Sequence, residues 1–272
     1  MITPLLSLTL QNKNMIADKF IKNTHALLLR EINSRAGNNP LSLLWVILEP
    51  IVHVGILVAI KLLLRLDMVE NIDNTLFVIS GVVPFFAFQY GMTSVLYAPR
   101  SNRGLLSFPT IKTLHIMAAR AFLEYAIMLL VLILLLGACR LAGHDFDIKN
   151  PLAVVFYFTL MVIFGASMGM FYAPLIGRFH FFDVFLSILR RVMYFTSGVF
   201  ISLSFLSIHT QEILALNPVV HMLALFRQAL FTDHIVSDVF LNWQYAIGFT
   251  MITLFAGLYM IRRYESWAYE TP

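Results

Sequence analysis

Six long apolar stretches alternate with short polar segments along this chain. Each stretch comes close to or exceeds the roughly 20 apolar residues that a helix needs to cross a bilayer core. The runs are continuously apolar rather than alternating, which is typical of helices and not of barrel strands. The sequence therefore predicts an all-α membrane protein with six transmembrane helices: Leu41–Leu66, Thr75–Tyr97, Ile116–Leu141, Leu152–Ile176, Val184–Phe205 and Trp243–Ile261.

A polar segment precedes the first apolar stretch. Residues 11–37 are helix-prone, and residues 37–40 then break the helix. This pattern predicts a cytoplasmic N-terminal segment, residues 1–40, with an amphipathic interface helix on the inner membrane surface, followed by a transmembrane domain, residues 41–272. The partial apolar stripe of the N-terminal helix consists of Ile16, Phe20, Leu27, Leu28 and Ile32.

A shorter apolar run, Val219–Phe231, lies between the fifth and sixth stretches. It follows Asn217 and Pro218, and it contains two polar side chains, His221 and Arg227. About 13 residues are too few to span a bilayer as a helix. The run predicts a re-entrant or interfacial helix pair on the periplasmic face before the last span. An ordinary outer loop with one surface helix is the alternative.

Composition and charge agree with a membrane protein. Hydrophobic residues make up 59% of the chain and charged residues 12%, whereas soluble proteins carry about 25% charged residues. The net charge of +4 is too small to indicate a nucleic-acid partner. If both termini are cytoplasmic, eleven lysines and arginines lie inside and five outside, as the positive-inside rule requires: Lys13, Lys19, Lys22, Arg30, Arg35, Arg100, Arg103, Lys112, Arg178, Arg262 and Arg263 inside, and Lys61, Arg65, Arg140, Lys149 and Arg227 outside.

The sequence motifs do not indicate catalysis by this chain. A G-x-x-x-x-G-K-[ST] phosphate-binding loop is missing from the sequence, so we do not expect the chain itself to be an ATPase. The spacing of Cys and His is not that of a zinc site. We therefore expect no catalytic residues, no metal and no cofactor in this chain itself.

The first span carries polar residues at membrane depth. Glu49 and His53 are four residues apart on one helical face, one turn beyond Trp45. Pro50 removes a backbone hydrogen bond and predicts a kink. Because an acidic group inside a membrane is costly, it faces protein or water. The pattern predicts a polar stripe along a substrate path or a dimer interface. A structural kink with Glu49 bound by a neighbouring helix is the alternative.

The fifth span carries two adjacent arginines, Arg190 and Arg191, followed by Tyr194 and Phe195. Adjacent helical residues point about 100° apart, so the two arginines need not share a face. One interpretation is a cationic ring that attracts an anionic substrate, with aromatic side chains suited to sugar rings. The other is that both arginines extend along the helix to the inner headgroups.

Two further features of the spans concern helix packing. Arg120 and Glu124 are four residues apart in the third span, which predicts an ion pair within that helix or with a neighbouring one. Residues 165–169 form a small-residue face in the fourth span, with glycine at both ends. Such a face permits two helices to approach closely.

The loop between the second and third spans is basic and is punctuated by glycine and proline. It includes Arg100, Asn102, Arg103, Gly104 and Leu105. A segment of this length and charge predicts a short helix that docks on a partner. A plain cytoplasmic loop that follows the positive-inside rule is the alternative.

In their order along the chain, these features resemble the permease subunits of ABC transporters that export capsular polysaccharide, the KpsM type. Each motif is weak by itself, and the ordered set is specific. The resemblance covers about residues 27–227. It rests on Leu29–Ile32 with Arg35, Leu44–His53, Gly81–Phe86, Asn102–Leu106, Ala119–Glu124 and Asn217–His221.

The resemblance implies a homodimeric permease in the inner membrane of a Gram-negative bacterium. It also implies a cytoplasmic ATP-binding subunit dimer that binds ATP and Mg, a periplasmic polysaccharide co-polymerase, an outer-membrane exporter, and a lipid-linked, usually acidic polysaccharide as substrate. Because the N-terminal helix and first cytoplasmic loop lie against the ATPase in this family, the resemblance implies coupling or gating roles for Arg30, Glu31, Arg35, Arg100, Asn102, Arg103, Gly104 and Leu105. The expected substrate path comprises Trp45, Glu49, His53, Arg190, Arg191, Tyr194 and Phe195.

Other functions remain open at the level of sequence. An O-antigen or teichoic-acid export permease would keep the transporter class and change the cargo. A membrane-embedded transferase would need acidic or His groups converging at one face, whereas Glu49, His53 and Glu124 are scattered. A secondary transporter would show broken helices in two related halves, and we find only one predicted kink and no repeat.

Overall fold

The computed structural model describes residues 3–37, 41–63, 68–232, 234 and 236–270. Within these ranges almost all regular structure is helical, as the sequence predicts. Residues 38–40, where the sequence predicts a helix break, lie outside the described residues. So does Arg65, which is counted among the outer cations, and the side chains of Lys13 and Ile16 are not described either.

Eleven helices and one small hairpin form the described chain. A two-residue antiparallel pair, β1 and β2, is a minor addition to the predicted all-helical fold, and 3₁₀ turns occupy Asp238–Phe240 and Glu265–Tyr269. The elements are α1 Thr3–Ala36, α2 Leu41–Leu63, β1 Met68–Val69, β2 Ile72–Asp73, α3 Asn74–Leu96, α4 Ala98–Ser101, α5 Arg103–Leu106, α6 Thr113–Leu141, α7 Pro151–Arg178, α8 Phe181–Thr196, α9 Ile208–Leu214, α10 Pro218–Leu230 and α11 Trp243–Tyr264.

Among the described residues, five helices are long and apolar enough to cross a membrane, namely α2, α3, α6, α7 and α11. The prediction of one continuous helix over Val184–Phe205 is wrong. Helix α8 ends at Thr196, and Gly198 follows with a left-handed φ of 71° that terminates helical geometry. Its 16 residues rise about 24 Å, less than the roughly 30 Å of a bilayer core.

Helix α3 forms the centre of the fold. Of its residues Asn74–Leu96, 83% are buried, whereas only 11% of Leu44–Lys61 in α2 are buried. The predicted small-residue face of α7 packs directly on α3, because a Cβ at Gly165 or Gly169 would collide with backbone atoms of α3. Helix α2 therefore lies at the periphery, with an apolar surface that the chain itself leaves uncovered.

The N-terminal helix α1 packs against α6. Glu31 of α1 contacts Arg120 of α6, and Arg35, one turn further along α1, contacts Glu124, one turn further along α6. The two segments therefore run in the same direction. Leu27 of the predicted apolar stripe is buried, whereas Phe20 stays largely exposed. A position of α1 on the membrane surface remains a prediction.

The predicted helix pair before the last span is present as α9 and α10, which meet at an angle of 105°. The end of α10 joins the start of α7, since the backbone N–H of Asn150 donates to the carbonyl oxygen of Ala229 over 2.9 Å. At the other end of α10, Pro218 lines a cavity together with Phe164. Phe164 lies about 20 Å from the start of α7. Helix α10 therefore runs antiparallel to α7 and begins beside its middle.

Candidate functional site

Two adjoining cavities open between α2, α3 and α8, and we call them together the α2–α8 groove. They share His53 and Phe86 in their walls. One cavity has a volume of about 360 Å³ and is lined by His53, Phe86, Gln89, Ser187, Arg190, Arg191 and Tyr194. The other has a volume of about 210 Å³ and is lined by Trp45, Glu49, Val52, His53, Ile56 and Phe86.

The groove collects six of the seven side chains that the sequence places on the substrate path. Phe195 is the exception, because its side chain is 71% exposed and packs only beside Tyr194 and Phe200. Sequence reasoning did not place Phe86 and Gln89 on the substrate path, because both lie within the mostly buried helix α3. Their roles in transport, like those of the other groove residues, remain predictions.

Hydrogen bonds join α2 to both neighbouring helices across the groove. His53 Nε2 lies 2.8 Å from the hydroxyl oxygen of Tyr194, and its ring packs against Phe86 at 4.8 Å between centroids. The Tyr90 hydroxyl donates to Glu49 Oε1 over 3.2 Å. Glu49 therefore lines a cavity and also accepts a hydrogen bond from a neighbouring helix, and its place on a substrate path or dimer interface stays a prediction. Helix α2 continues through Pro50.

Both arginines of α8 reach the larger cavity, although they are adjacent in sequence. Arg190 Nη2 donates to Ser187 Oγ over 3.1 Å, and its Nε has no hydrogen-bond partner among the described residues. Among the described residues that line this cavity there is no carboxylate. The larger cavity therefore presents two arginines beside aromatic rings, with the carboxylate of Glu49 in the adjoining cavity, an environment suited to an acidic ligand.

A second set of predicted residues forms a charge network between α1 and α6. Arg35 Nη2 lies 2.6 Å from Glu124 Oε1, and Arg120 Nε lies 3.2 Å from Glu31 Oε1. Arg35 Nε also lies 3.6 Å from Glu31 Oε1 and closes the chain of contacts. The ion pairs of Arg120 and Glu124 are therefore interhelical, which selects one of the two predicted alternatives. We call these four residues the α1–α6 network.

The loop between α3 and α6 is attached to α1 through Asn102. Arg30 Nη1 donates to Asn102 Oδ1 over 2.9 Å. The Nδ2 of the buried Asn102 side chain donates to the carbonyl oxygen of Ala98 over 3.0 Å. Asn102 therefore joins the end of α4 to the N-terminal helix.

Two further arginines attach the same loop to α7 and to the last 3₁₀ turn. Arg100 Nη2 donates to the carbonyl oxygen of Ile176 in α7 over 2.7 Å. Arg103 donates to the carbonyl oxygen of Tyr269 in the last 3₁₀ turn. The predicted short helix is present as α4 and α5, and its basic residues are engaged within the chain.

The exposed surface of the loop lies just after these contacts. Gly104 is exposed with open space around it, and Leu105 is half-buried. Phe108 is 56% exposed at the turn that leads into α6. An apolar ring exposed on a polar loop is a candidate contact for a partner. Sequence analysis missed Phe108, although the pair Phe108–Pro109 within a basic loop could have indicated it.

Arg227 of α10 lies at the centre of a buried cluster that we call the Arg227 clamp. Its Nη1 donates to the carbonyl oxygen of Gly198 over 2.9 Å, and Nη2 donates to those of Phe77 and Val199 over 3.2 and 3.3 Å. Its Nε donates to Ser80 Oγ over 3.3 Å. The guanidinium also lies 3.8 Å from the centre of the Phe77 ring. The clamp therefore binds α10 to α3 and to the segment after α8.

A polar group on the hairpin turn extends this cluster. Glu70 accepts hydrogen bonds from Ser202 and, over 2.8 Å, from Ser204. His234 Nδ1 lies 3.6 Å from Glu70 Oε2. Burial, together with the charge of Arg227, lowers the pKa of His234 from 6.5 to about 4. The imidazole is therefore held neutral at ordinary pH.

The remaining predicted residues of the outer segment organise its bend. Asn217 caps α10, and Pro218 occupies the first helical position, where its missing N–H has no cost. His221 Nε2 lies 2.7 Å from the carbonyl oxygen of Ala215, and Nδ1 lies 3.0 Å from that of Phe240. His221 thus fixes α10 between the end of α9 and the turn before α11.

A family model of ABC-2 type transporters matches residues 22–231, more than half of the chain. The chain belongs to the ABC-2 type transporter family. The matched range contains the α2–α8 groove, the α1–α6 network and Arg227. The resemblance inferred from the ordered motifs is therefore confirmed at the level of the family.

Named relatives align over nearly the whole chain. The polysialic acid transport protein KpsM of Escherichia coli is 34% identical over 240 residues, which are 88% of this chain and 92% of the relative. The capsule polysaccharide export inner-membrane protein CtrC of Neisseria meningitidis serogroup B is 26% identical over 88% of this chain and 90% of its own length. The capsule polysaccharide export inner-membrane protein BexB of Haemophilus influenzae is 24% identical over 89% of this chain and 90% of its own length.

Proposed function

We propose that this ABC-2 family member is the transmembrane permease subunit of a transporter that exports capsular polysaccharide across the bacterial inner membrane. The observation that carries the proposal is the α2–α8 groove, a cavity inside a membrane protein with two arginines and several aromatic rings. The names of the relatives support the same cargo, since KpsM, CtrC and BexB are named for polysialic acid transport or capsule polysaccharide export.

The cargo is an acidic, lipid-linked polysaccharide. Arg190 and Arg191 attract carboxylates or phosphates, while Phe86 and Tyr194 offer ring faces to sugars. A polymer must leave each position as readily as it enters, so many weak contacts serve transport better than one tight site. The relative whose name specifies polysialic acid supports an acidic polymer.

A second copy of the chain completes the path. The apolar surface of α2 is mostly uncovered by the chain itself, and Trp45 beside the groove is 64% exposed. Two copies related by a twofold axis would cover part of this surface and double the number of arginines along the path. The kinship with transporter subunits supports a cytoplasmic ATPase dimer that binds ATP and Mg, and the resemblance adds a periplasmic co-polymerase and an outer-membrane exporter.

Both termini are cytoplasmic in this proposal. Helix α8 supplies a short fifth crossing that ends beside α10, and the bent pair α9–α10 enters the membrane from the periplasmic side and returns. The antiparallel course of α10 along α7 supports this re-entrant arrangement. The loop of α4 and α5, the α1–α6 network and the last 3₁₀ turn then all lie at the cytoplasmic face.

Movement of the ATPase reaches the groove through this face. A push on the exposed loop residues displaces α4 and α5, and the bond between Arg30 and Asn102 carries the displacement to α1. Through the α1–α6 network it reaches α6, and through the covalent link after α1 it reaches α2. Because α2 forms one wall of the groove, its tilt against α8 widens the path for the polymer.

Replacement of Arg190 and Arg191 by glutamine, singly and together, tests the cargo path. We expect the double variant to export at least about tenfold less acidic polymer to the cell surface, because loss of even one charged hydrogen bond of about 1.5–3 kcal/mol corresponds to roughly a factor of ten or more. Arg140→Gln, an exposed arginine remote from the groove, is the control. Normal export by the folded double variant would refute the cationic path.

Co-purification with the ATPase tests the subunit assignment. Phe108→Asp is expected to release the ATP-hydrolysing partner, because it places a charge in an apolar contact on the cytoplasmic loop. Phe205→Asp is the matched control, since Phe205 is also exposed and lies beyond α8 on the proposed periplasmic side. A wild-type chain that purifies without any ATPase would refute the permease assignment, and loss of the partner only in Phe205→Asp would reverse the topology.

A further inference from the structure

A third cavity lies on the opposite side of α8 from the groove, between α7, α8 and α11. It has a volume of about 610 Å³. Helix α8 separates the two spaces, because its residues on the two sides point in opposite directions. Leu189, Val192 and Met193 line this cavity, whereas Arg190 and Tyr194 line the groove. The walls of this cavity are mainly apolar and include Phe164, Met168, Phe171, Ile252 and Ala256.

The threonine and asparagine side chains around this cavity are engaged within the protein. Thr196 Oγ1 donates to the carbonyl oxygen of Val192 over 2.9 Å, and Thr253 Oγ1 donates to that of Phe249 over 3.0 Å. Asn217 caps α10 with its side-chain oxygen. An occupant with polar groups would lose hydrogen bonds to water and find apolar walls, so the cavity suits hydrocarbon.

Positive charges continue the same helical faces toward one end of the cavity. Seven residues are nearly two full helical turns, so Arg178 lies on the face of Phe171 and Arg263 on the face of Ala256, each about 10 Å further along its helix. Arg178 is 55% exposed in its side chain and lies 3.5 Å from the partly exposed carboxylate of Glu270.

Aromatic rings accompany these two arginines. The guanidinium of Arg178 lies 5.9 Å from the ring centre of Trp267, and that of Arg263 lies 5.2 Å from the ring centre of Tyr264. Trp and Tyr are enriched at the level of lipid headgroups. An apolar cavity with two arginines and an aromatic belt about 10 Å beyond its lining residues has the polarity profile of a phospholipid.

We propose that this cavity holds one acyl chain of an anionic membrane phospholipid whose phosphate is bound by Arg178 and Arg263. The leaflet follows from the proposed topology, which puts both arginines at the cytoplasmic face. The bound chain supports α8 from behind and holds its arginines toward the groove.

Photo-crosslinking in nanodiscs tests this site. The full chain is reconstituted with phosphatidylcholine and graded amounts of phosphatidylglycerol that carries a diazirine near the end of one acyl chain. We expect saturable labelling, near one lipid per chain, of peptides from α7, α8 and α11. Ala256→Trp, which fills the cavity, should reduce this labelling at least fivefold, whereas Ile133→Trp on the exposed face of α6 should not. Met168→Phe is the second filling variant if Ala256→Trp fails to fold.

The headgroup is tested by Arg178→Gln combined with Arg263→Gln. We expect the preference for phosphatidylglycerol over a diazirine-labelled phosphatidylcholine to disappear. Labelling that rises linearly with lipid and ignores the filling variants would overturn the site, and so would crosslinks to a second copy at the same peptides. Because the readout requires neither ATPase nor polymer, its failure is distinguishable from a failure of the export proposal.

Discussion

The Arg227 clamp and the α2–α8 groove both place arginines among apolar helices, and they use the charge in opposite ways. In the clamp, Nε, Nη1 and Nη2 of Arg227 all donate to oxygens of the protein, and the residue is 4% exposed. In the groove, Arg190 and Arg191 line a cavity, and Arg190 keeps an Nε without a partner among the described residues.

This difference separates a structural cation from one available to a ligand. A buried charge is tolerated when its donors are matched, and removal of such a charge leaves its acceptors without partners. A cation that lines a cavity is not enclosed on all sides by protein oxygens, so part of its guanidinium faces the free volume. Burial and satisfied hydrogen bonds therefore assign Arg227 to the fold, whereas the free volume beside Arg190 and Arg191 favours a transport role for these two residues.

Replacement of Arg227 by methionine is the largest perturbation that we predict. Three backbone carbonyl oxygens in a buried region lose a charged donor, each such bond being worth about 1.5–3 kcal/mol. We expect the free energy of unfolding to fall by roughly 4 kcal/mol or more. Denaturant titration of the purified chain in detergent micelles measures this change.

Arg190→Met is the matched control in the same titration. We expect it to alter the free energy of unfolding by less than about 0.5 kcal/mol, the usual range for substitutions away from packed features. Equal stability losses in the two variants would erase the distinction between clamp and groove. A stable Arg227→Met variant would show that the carbonyl oxygens find other donors.

Hydrophobic patterning predicted most of the fold, because long apolar runs allow few alternatives. The runs of α3, α6, α7 and α11 agree closely with the observed helices. The predicted fifth span failed at Ser197 and Gly198, where small residues end the helix although the apolar run continues to Phe205. Length and hydropathy do not register such a break, since it depends on the backbone geometry at a glycine.

The site was only partly predictable. Polar residues in apolar runs identified Glu49, His53, Arg190 and Arg191, and the structure brings them into one groove. The same signal also identified Arg227, which the structure places in a saturated cluster instead. Sequence shows that a charge is costly within a span, but hydrogen-bond partners from distant segments decide how that cost is met.

Acidification should weaken the outer cluster next to the clamp. The folded protein keeps His234 neutral down to about pH 4, because burial and Arg227 lower its pKa, whereas an unfolded chain binds the proton near pH 6.5. Between these values the unfolded state binds more protons, so the free energy of unfolding falls as the pH drops, by up to about 3 kcal/mol. Unfolding titrations at about pH 7.5 and about pH 4.5, above the unfolded pKa and near the folded pKa, measure this loss.

Variants of two histidines sharpen that measurement. His234→Met removes the titrating group and should flatten the pH dependence, while His209→Gln, at an exposed position, should leave it unchanged. Glu70 stands 3.6 Å from His234 and would stabilise the protonated ring. An unaltered profile in His234→Met would assign the acid sensitivity to another group.

The smallest effect that we predict concerns the α1–α6 network. Its side chains are less buried than Arg227 in the clamp but, unlike Arg190 and Arg191 in the groove, they form ion pairs within the described part of the chain. Its charges are paired within the chain like Arg227, yet they remain partly exposed, with side-chain exposures of 8–21%. Glu31→Arg places like charges beside Arg35 and Arg120, and we expect a loss of about 1 kcal/mol in stability with a decrease in ATPase-coupled export. Adding Arg120→Glu restores one opposite-charge pair, and a double-mutant cycle should return a coupling of roughly 0.5–1 kcal/mol. If stability recovers in the double variant and export does not, the network acts on the ATPase beyond its packing role; if neither recovers, the contact between Glu31 and Arg120 does not join the two helices.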